Sequence, residues 1–159
     1  MSLSATDVDH LRRAVALARE ALELGDEPFG SVLVGADGTR LFEDHNRVGG
    51  GDHTQHPEFA AARWAAANLS AAERAAATVY TSGEHCPMCA AAHGWVGLGP
   101  IVYAASSAQL MQWLDSWGVP RGPVAPLPIT AVVPTAQVRG PVPELTAVVK
   151  DLHYRAHHR

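Results

Sequence analysis

Four residues whose types suit metal-assisted chemistry occur in two short motifs, His56 with Glu58 and Cys86 with Cys89. A neutral imidazole and two thiolates are normal zinc ligands, and three ligands leave the fourth tetrahedral position open for water, as in catalytic sites. Glu58 follows His56 by two residues, close enough to reach that water without binding the metal. Because zinc activates water near neutral pH, the motifs predict a hydrolytic site in which Glu58 carries a proton to a leaving amine.

Other roles for the cysteine pair are less consistent with the sequence. A lone Cys-x-x-Cys near a strand also occurs as a thioredoxin-like redox pair, which the upstream His-x-Glu disfavours. The chain has only two cysteines, so one chain cannot supply four thiolates. At the start of a helix both sulfurs can turn toward one metal, where unpaired N–H groups favour thiolate. The sequence therefore predicts one zinc ion per chain, held by His56, Cys86 and Cys89.

Composition restricts the partners that we expect. The 159 residues carry 12 Lys and Arg against 16 Asp and Glu, a net charge of −4. This balance does not provide the basic surface that nucleic-acid binding requires.

The sequence contains no 18-residue apolar run and no basic, apolar signal peptide at its start, so we expect a cytoplasmic protein without membrane contact. The length predicts a single domain over residues 1–159.

Periodicity and turn residues predict alternating helices and strands. Ser4 and Asp7 resemble a capping box at the start of a helix over residues 4–24. The predicted strands cover 29–35, 39–44, 78–82, 100–105 and 128–133. The predicted helices cover 56–68, a segment that Cys86 opens, 107–116 and 143–159, and the proline-rich stretch 119–127 is irregular. This alternation predicts an α/β protein with three α/β/α layers.

The ordered motifs resemble the cytidine deaminase superfamily, in the branch that holds guanine deaminases, cytosine deaminases and the tRNA adenosine deaminase. The similarity extends from Pro28 to about Ala105 and rests on His-x-Glu, Cys-x-x-Cys, Asn46 and the Pro-Phe-Gly at 28–30. The resemblance implies a mixed five-stranded sheet, zinc-dependent hydrolytic deamination and a homodimer. It also implies that residues 143–159 form a helix or lid over an active site.

Several substrate contacts follow from the same resemblance. The amide of Asn46 matches a family asparagine that pairs with the edge of a base, and Phe29 matches a position near the base. Asp115, after a one-residue shift, matches an aspartate that binds the substrate amino group. Trp117 could lie against a flat ligand, and Tyr154 is a candidate lid residue. Core packing or a dimer contact is the alternative for these aromatic residues.

Two departures from the family pattern bear on the substrate. Pro57 stands where the family has alanine or glycine, and it has no N–H to donate to a substrate carbonyl. His85 replaces the proline before Cys86, where it could contact the substrate, tune the thiolate or begin the helix. Glu84 could orient His85 or brace the loop. The same departures resemble a subgroup of bacterial deaminases that acts on amino-s-triazines and altered bases.

The sequence thus predicts a zinc-dependent hydrolase that releases ammonia from a free nucleobase or a related aminated heterocycle of the guanine, cytosine or amino-s-triazine type. Free bases are favoured over nucleotides because no glycine-rich phosphate loop or basic run stands near the motifs. A tRNA adenosine deaminase and a non-catalytic zinc-stabilised binding module are the alternatives.

Overall fold

Five strands form one mixed sheet in the computed structural model, which describes residues 2–159. They are β1 (Gly30–Val34), β2 (Arg40–His45), β3 (Thr78–Gly83), β4 (Ile101–Ala105) and β5 (Val138–Arg139). Their order is β2-β1-β3-β4-β5, with β1 antiparallel to β2 and β3, and β4 parallel to β3 and β5. The predicted mixed five-stranded sheet is confirmed. The predicted domain begins at Met1, which lies outside the described residues.

Helices cover both faces of the sheet and complete the three layers. Contacts place α1 (Ala5–Glu23) and α7 (Pro143–His157) on one face, and α2 (Pro57–Asn68) and α4 (Pro87–Val96) on the other. The remaining helices are α3 (Ala71–Ala76), α5 (Ser107–Ser116) and α6 (Ile129–Val132). Within residues 2–159, no helix is long and apolar enough to cross a membrane.

Local sequence explains the ends of the elements that carry the motifs. Ser4 caps α1 and exchanges hydrogen bonds with Asp7, which confirms the predicted capping box. His56 and Cys86 are the N-cap residues of α2 and α4, and each is followed by proline in the first turn, where a missing N–H costs nothing. Both zinc motifs therefore lie at helix starts on the same face of the sheet.

The predicted strand over residues 128–133 is wrong, because this segment contains the short helix α6. Its first N–H, at Ile129, donates to the Glu84 side chain (3.0 Å), and the Ile129 side chain is buried beside Ala90 and Ile101. The final strand is instead β5, which pairs with Ile101 and Val102 of β4. Tertiary contacts with α4 and β4 thus determine the conformation of this apolar run.

Close packing of α1 on β1 requires glycine at position 30. A Cβ atom there would lie 2.5 Å from Leu17 Cβ, 2.7 Å from Ala18 N and closer still to Ala14 O. We expect Gly30→Ala to lower the free energy of unfolding by about 1–3 kcal/mol, measured by urea denaturation. Gly122→Ala, where an added Cβ meets nothing within 4 Å, is the control and should change it by less than about 0.5 kcal/mol. Equal effects of the two variants would contradict this assignment.

Candidate active site

The predicted zinc ligands come together between the starts of α2 and α4. The ligand atoms of His56, Cys86 and Cys89 all lie within 4.8 Å of one another. Both sulfurs are 3.5 Å from Nδ1 of His56, which identifies Nδ1 as the nitrogen directed at the metal position. The two N-cap positions thus create a three-ligand cluster.

The geometry of this cluster fits zinc. A Zn–S bond of about 2.3 Å and a Zn–N bond of about 2.05 Å at a tetrahedral angle separate sulfur from nitrogen by about 3.6 Å. The observed separations of 3.5 Å for both Cys86 and Cys89 agree with this value. Two thiolates and one imidazole are also a donor set that zinc accepts while a fourth position stays open.

The contact between Cys86 and Cys89 changes the pKa of both thiols. A hydrogen bond from Cys89 and another from His56 lower the pKa of Cys86 to about 4, against the opposing effect of burial. The same contact with Cys86, together with burial, raises the pKa of Cys89. The contact thus favours the thiolate at Cys86, and a bound zinc ion would favour it at both cysteines.

Glu58 lies in the first turn of α2, and only 5% of the residue is exposed. Burial raises its pKa, although His56 counteracts this, because a charged carboxylate is poorly solvated there. Its Oε1 accepts hydrogen bonds from Ser31 Oγ (3.2 Å) and Thr81 Oγ1 (3.0 Å). No short motif indicates these two hydroxyl residues, because they meet Glu58 only through the pairing of β1 with β3.

Asn46 has an unused donor in a buried position. Its Oδ1 accepts from the Val48 N–H (3.0 Å), while its buried Nδ2 has no hydrogen-bond partner among residues 2–159. Its backbone N–H donates to the carbonyl of Phe29 (3.0 Å), so these two predicted substrate contacts are directly linked. A buried amide donor without a partner destabilises the fold unless a ligand or a water molecule accepts its hydrogen bond.

Glu84 braces the loop before the zinc cysteines and does not orient His85. Its two carboxylate oxygens accept from the backbone N–H groups of Ser107 (2.8 Å) and Ile129 (3.0 Å), at the starts of α5 and α6. The His85 side chain is buried, and neither ring nitrogen has a partner in the part of the chain that the structure describes. The His85 ring meets that of His93 edge-on at 5.4 Å. Of the two predicted roles for Glu84, the structure favours bracing.

The other predicted contacts lie in a surface cluster. Asp115 forms an exposed ion pair with Arg121 (2.7 Å). The Trp117 ring meets the ring of Tyr154 edge-on at 5.4 Å, and Tyr154 stacks on His158 at 3.9 Å. Tyr154 remains 47% exposed. The side chains at the end of α5 and on α7 therefore contact other residues of the same chain, as Asp115, Trp117 and Tyr154 show.

A small cleft, with room for about one water molecule, opens between the β3–α4 loop, α5 and α7. Its lining includes Phe29, Glu84, Trp113 and His153, and it excludes the three zinc ligands. The His153 ring meets Phe29 edge-on at 4.9 Å. No motif in the sequence distinguishes His153 from the other histidines of the chain.

His153 makes stability sensitive to acid. Burial, with a smaller contribution from nearby His157, lowers its pKa to about 3. Between pH 6.5 and 3 the unfolded chain therefore binds a proton that the folded protein does not. We expect this group to lower the free energy of unfolding by about 2 kcal/mol from pH 7 to pH 5.

Urea denaturation at the two pH values measures this effect. His153→Phe should remove about 2 kcal/mol of the fall between pH 7 and pH 5, because phenylalanine binds no proton. Gly122→Ala, which changes no titratable group, should leave the fall unchanged. A His153→Phe variant with the full parental fall would contradict the assignment.

The mixed sheet with a His-x-Glu and a Cys-x-x-Cys at two helix starts is the architecture of a zinc-binding α/β enzyme. Residues 4–105 match the family described as the cytidine and deoxycytidylate deaminase zinc-binding region, and the chain belongs to this family. The family places it among hydrolases that act on carbon–nitrogen bonds, and His56, Cys86 and Cys89 can hold its zinc ion.

Two curated relatives belong to the same family. A probable cytosine deaminase of Schizosaccharomyces pombe is 33% identical over 116 residues, which cover 73% of this chain and 70% of that protein. Guanine deaminase of Bacillus subtilis is 41% identical over 97 residues, 60% of this chain and 62% of that protein. The second match thus spans less than two thirds of the relative's length.

Solved structures agree with the fold. The guanine deaminase of Nitrosomonas europaea has a TM-score of 0.72 at 20% identity, covering 100% of this chain and 88% of that one. A structure from a study of tRNA:A34 deaminases has a TM-score of 0.56 at 34% identity, covering 64% of this chain and 78% of that one. The first likeness concerns the fold alone.

Proposed function

We propose that the protein releases ammonia from a free nucleobase or a related aminated heterocycle by zinc-dependent hydrolysis. The observation that carries this proposal is the buried Glu58 carboxylate beside a cluster of three zinc ligands. A purely structural zinc site has no need for a carboxylate that does not bind the metal. The family membership supports the reaction class.

In the proposed mechanism His56, Cys86 and Cys89 hold the metal, which supplies activation of a water molecule when bound. Glu58 accepts a proton from this water and gives it to a ring nitrogen of the substrate. The deprotonated water oxygen bonds to the carbon that bears the amine. Glu58 then carries the remaining proton of that oxygen to the amine, which leaves as ammonia while the oxygen becomes a carbonyl. The raised pKa of Glu58 suits a group that must hold and release a proton.

Asn46 and Phe29 are the proposed substrate contacts. The free Nδ2 of Asn46 would donate to an acceptor on the edge of the heterocycle, and Phe29 would pack against its plane. Pro57, at the first position of α2, offers no backbone donor to the substrate. We therefore propose that the substrate has no carbonyl acceptor there or receives another donor. A complex with a substrate carbonyl packed against Pro57 and no other donor in reach would contradict this.

The proposed substrate is small, flat and aminated. The activities in the names of the curated relatives support cytosine or guanine, and the His-Pro-Glu and Glu-His-Cys variants support an amino-s-triazine. We expect zinc-loaded protein to release ammonia from at least one member of a panel of guanine, cytosine, isocytosine, adenine, cytidine and amino-s-triazines. Turnover of cytidine alone would contradict the free-base proposal. No ammonia release from any member of the panel would contradict the proposed function.

A tRNA adenosine deaminase is the second candidate, favoured by the likeness to a structure from the tRNA:A34 deaminase study. The net charge of −4 opposes it. Retardation of tRNA at physiological salt, with adenosine converted to inosine, would favour this candidate over free-base deamination.

We also propose a homodimer. Trp95, on the outer side of α4, is 91% exposed, which supports a partner surface on the helix that carries Cys89. Sedimentation of the parent and of Trp95→Ser tests this: a parent that sediments as a monomer would contradict the proposal.

A further inference from the structure

Two hydroxyl side chains face each other across the central strands, beneath the start of α2. Ser31 of β1 and Thr81 of β3 are register partners in the antiparallel pair, so their side chains lie on the same face of the sheet. Their hydroxyl oxygens are 2.9 Å apart, and both side chains are buried. Leu33, two residues after Ser31, pairs with Val79, two residues before Thr81, and both pack into the apolar cluster that also contains Ala65 of α2. The hydroxyl pair is thus a polar position on an otherwise apolar face.

Both hydroxyls converge on the same oxygen of Glu58. Ser31 Oγ lies 3.2 Å and Thr81 Oγ1 lies 3.0 Å from Oε1 of the carboxylate. Because the two strands are rigidly paired, their hydroxyls fix this oxygen in two directions at once. With Oε1 held, rotation of the carboxylate is restricted.

We propose that Ser31 and Thr81 are positioning residues that hold Oε1 of Glu58 and aim its other oxygen at the water and the substrate. This inference rests on the proposed function, because it concerns the group that carries the proton. Neither hydroxyl touches the substrate in this account; each acts through Glu58.

Each hydroxyl can also donate to an acceptor other than Glu58. Thr81 Oγ1 is also 3.0 Å from the carbonyl oxygen of Gly83, and Ser31 Oγ can donate to Thr81 instead of to Glu58. Each hydroxyl has a single hydrogen to donate. The pair can therefore donate to an ionised Glu58, or turn toward Gly83 when Glu58 holds a proton, without moving a heavy atom.

Isosteric replacement of Thr81 tests the proposal. We expect Thr81→Val to lower kcat about tenfold to hundredfold, the loss expected for a hydrogen bond to a charged group, while KM changes less than about twofold. Thr81→Ser should restore most of kcat because it restores the hydroxyl, and Ser31→Ala should also lower kcat without raising KM. Thr146→Val is the matched control, because within the described residues the Thr146 hydroxyl donates to backbone carbonyls, those of Ala104 and Val142, and contacts no catalytic group. Its kcat should stay at the parental value.

The same substitution in a Glu58→Gln protein separates this inference from the proposed function. If Glu58→Gln abolishes most turnover, Thr81→Val should add less than about twofold to the loss, because the group that it positions is already absent. Parental kcat in Thr81→Val and in Ser31→Ala, with Glu58→Gln inactive, would overturn the positioning role alone. Parental turnover in Glu58→Gln would overturn the proposed function itself. A raised KM with unchanged kcat in Thr81→Val would assign the hydroxyl to substrate binding and also overturn the inference.

Discussion

Glu58→Gln should retain one zinc ion per chain and lose about 10²- to 10⁴-fold in kcat, the contribution expected of a positioned proton carrier. Glutamine has nearly the same shape and can still receive hydrogen bonds from Ser31 and Thr81, but it cannot accept and return a proton. Metal analysis and steady-state ammonia release on the same preparation measure both quantities. The loss should appear in kcat, because Glu58 acts on protons that move during the reaction.

Glu144→Gln is the matched control for this variant. Glu144 follows Pro143 in the first turn of α7, as Glu58 follows Pro57 in α2, but it is exposed to solvent. Its replacement should leave kcat and zinc content unchanged. Parental turnover in Glu58→Gln would contradict the role of Glu58 as the proton carrier. Loss of zinc would indicate that Glu58 supports the metal site instead.

Cys89→Ala should reduce zinc content from one ion per chain toward none and reduce ammonia release to the uncatalysed background. Only His56 and Cys86 would remain as ligands, and two ligands hold zinc poorly. Zinc should also raise the melting temperature of the parent, because a ligand of the folded state stabilises it by about 4 kcal/mol at a thousand times its Kd. Cys89→Ala should lose this increase.

Chelator-treated parent protein is the control for Cys89→Ala. Added zinc should restore its ammonia release and its melting temperature, whereas the variant should recover neither. A chelated parent with full turnover would contradict a catalytic metal, and a variant that keeps both zinc and activity would contradict Cys89 as a ligand.

The sequence predicted the zinc cluster because its chemistry is local. His56 and Cys86 each precede a proline that opens a helix, so a short motif determines both the ligand and its direction. The capping box at Ser4 is equally local. These features could be predicted without knowledge of distant contacts.

The errors and omissions depend on contacts between distant residues. The apolar run at 128–133 is compatible with a strand or a helix, and contacts of Ile129 with Glu84 and α4 decide in favour of a helix. The two-residue strand β5 is too short to show a period. Ser31 and Thr81 acquire their contact with Glu58 only when β1, β3 and α2 meet, so no linear motif contains it.

The central claim, hydrolytic removal of an amine, is tested most directly by running the reaction in H₂¹⁸O on the substrate that releases most ammonia in the panel. Mass spectrometry of the product should show one ¹⁸O atom in place of the amine, and ammonia should appear in equal amount. Ammonia released without ¹⁸O in the product, or no ammonia from any member of the panel with fully zinc-loaded protein, would contradict the account.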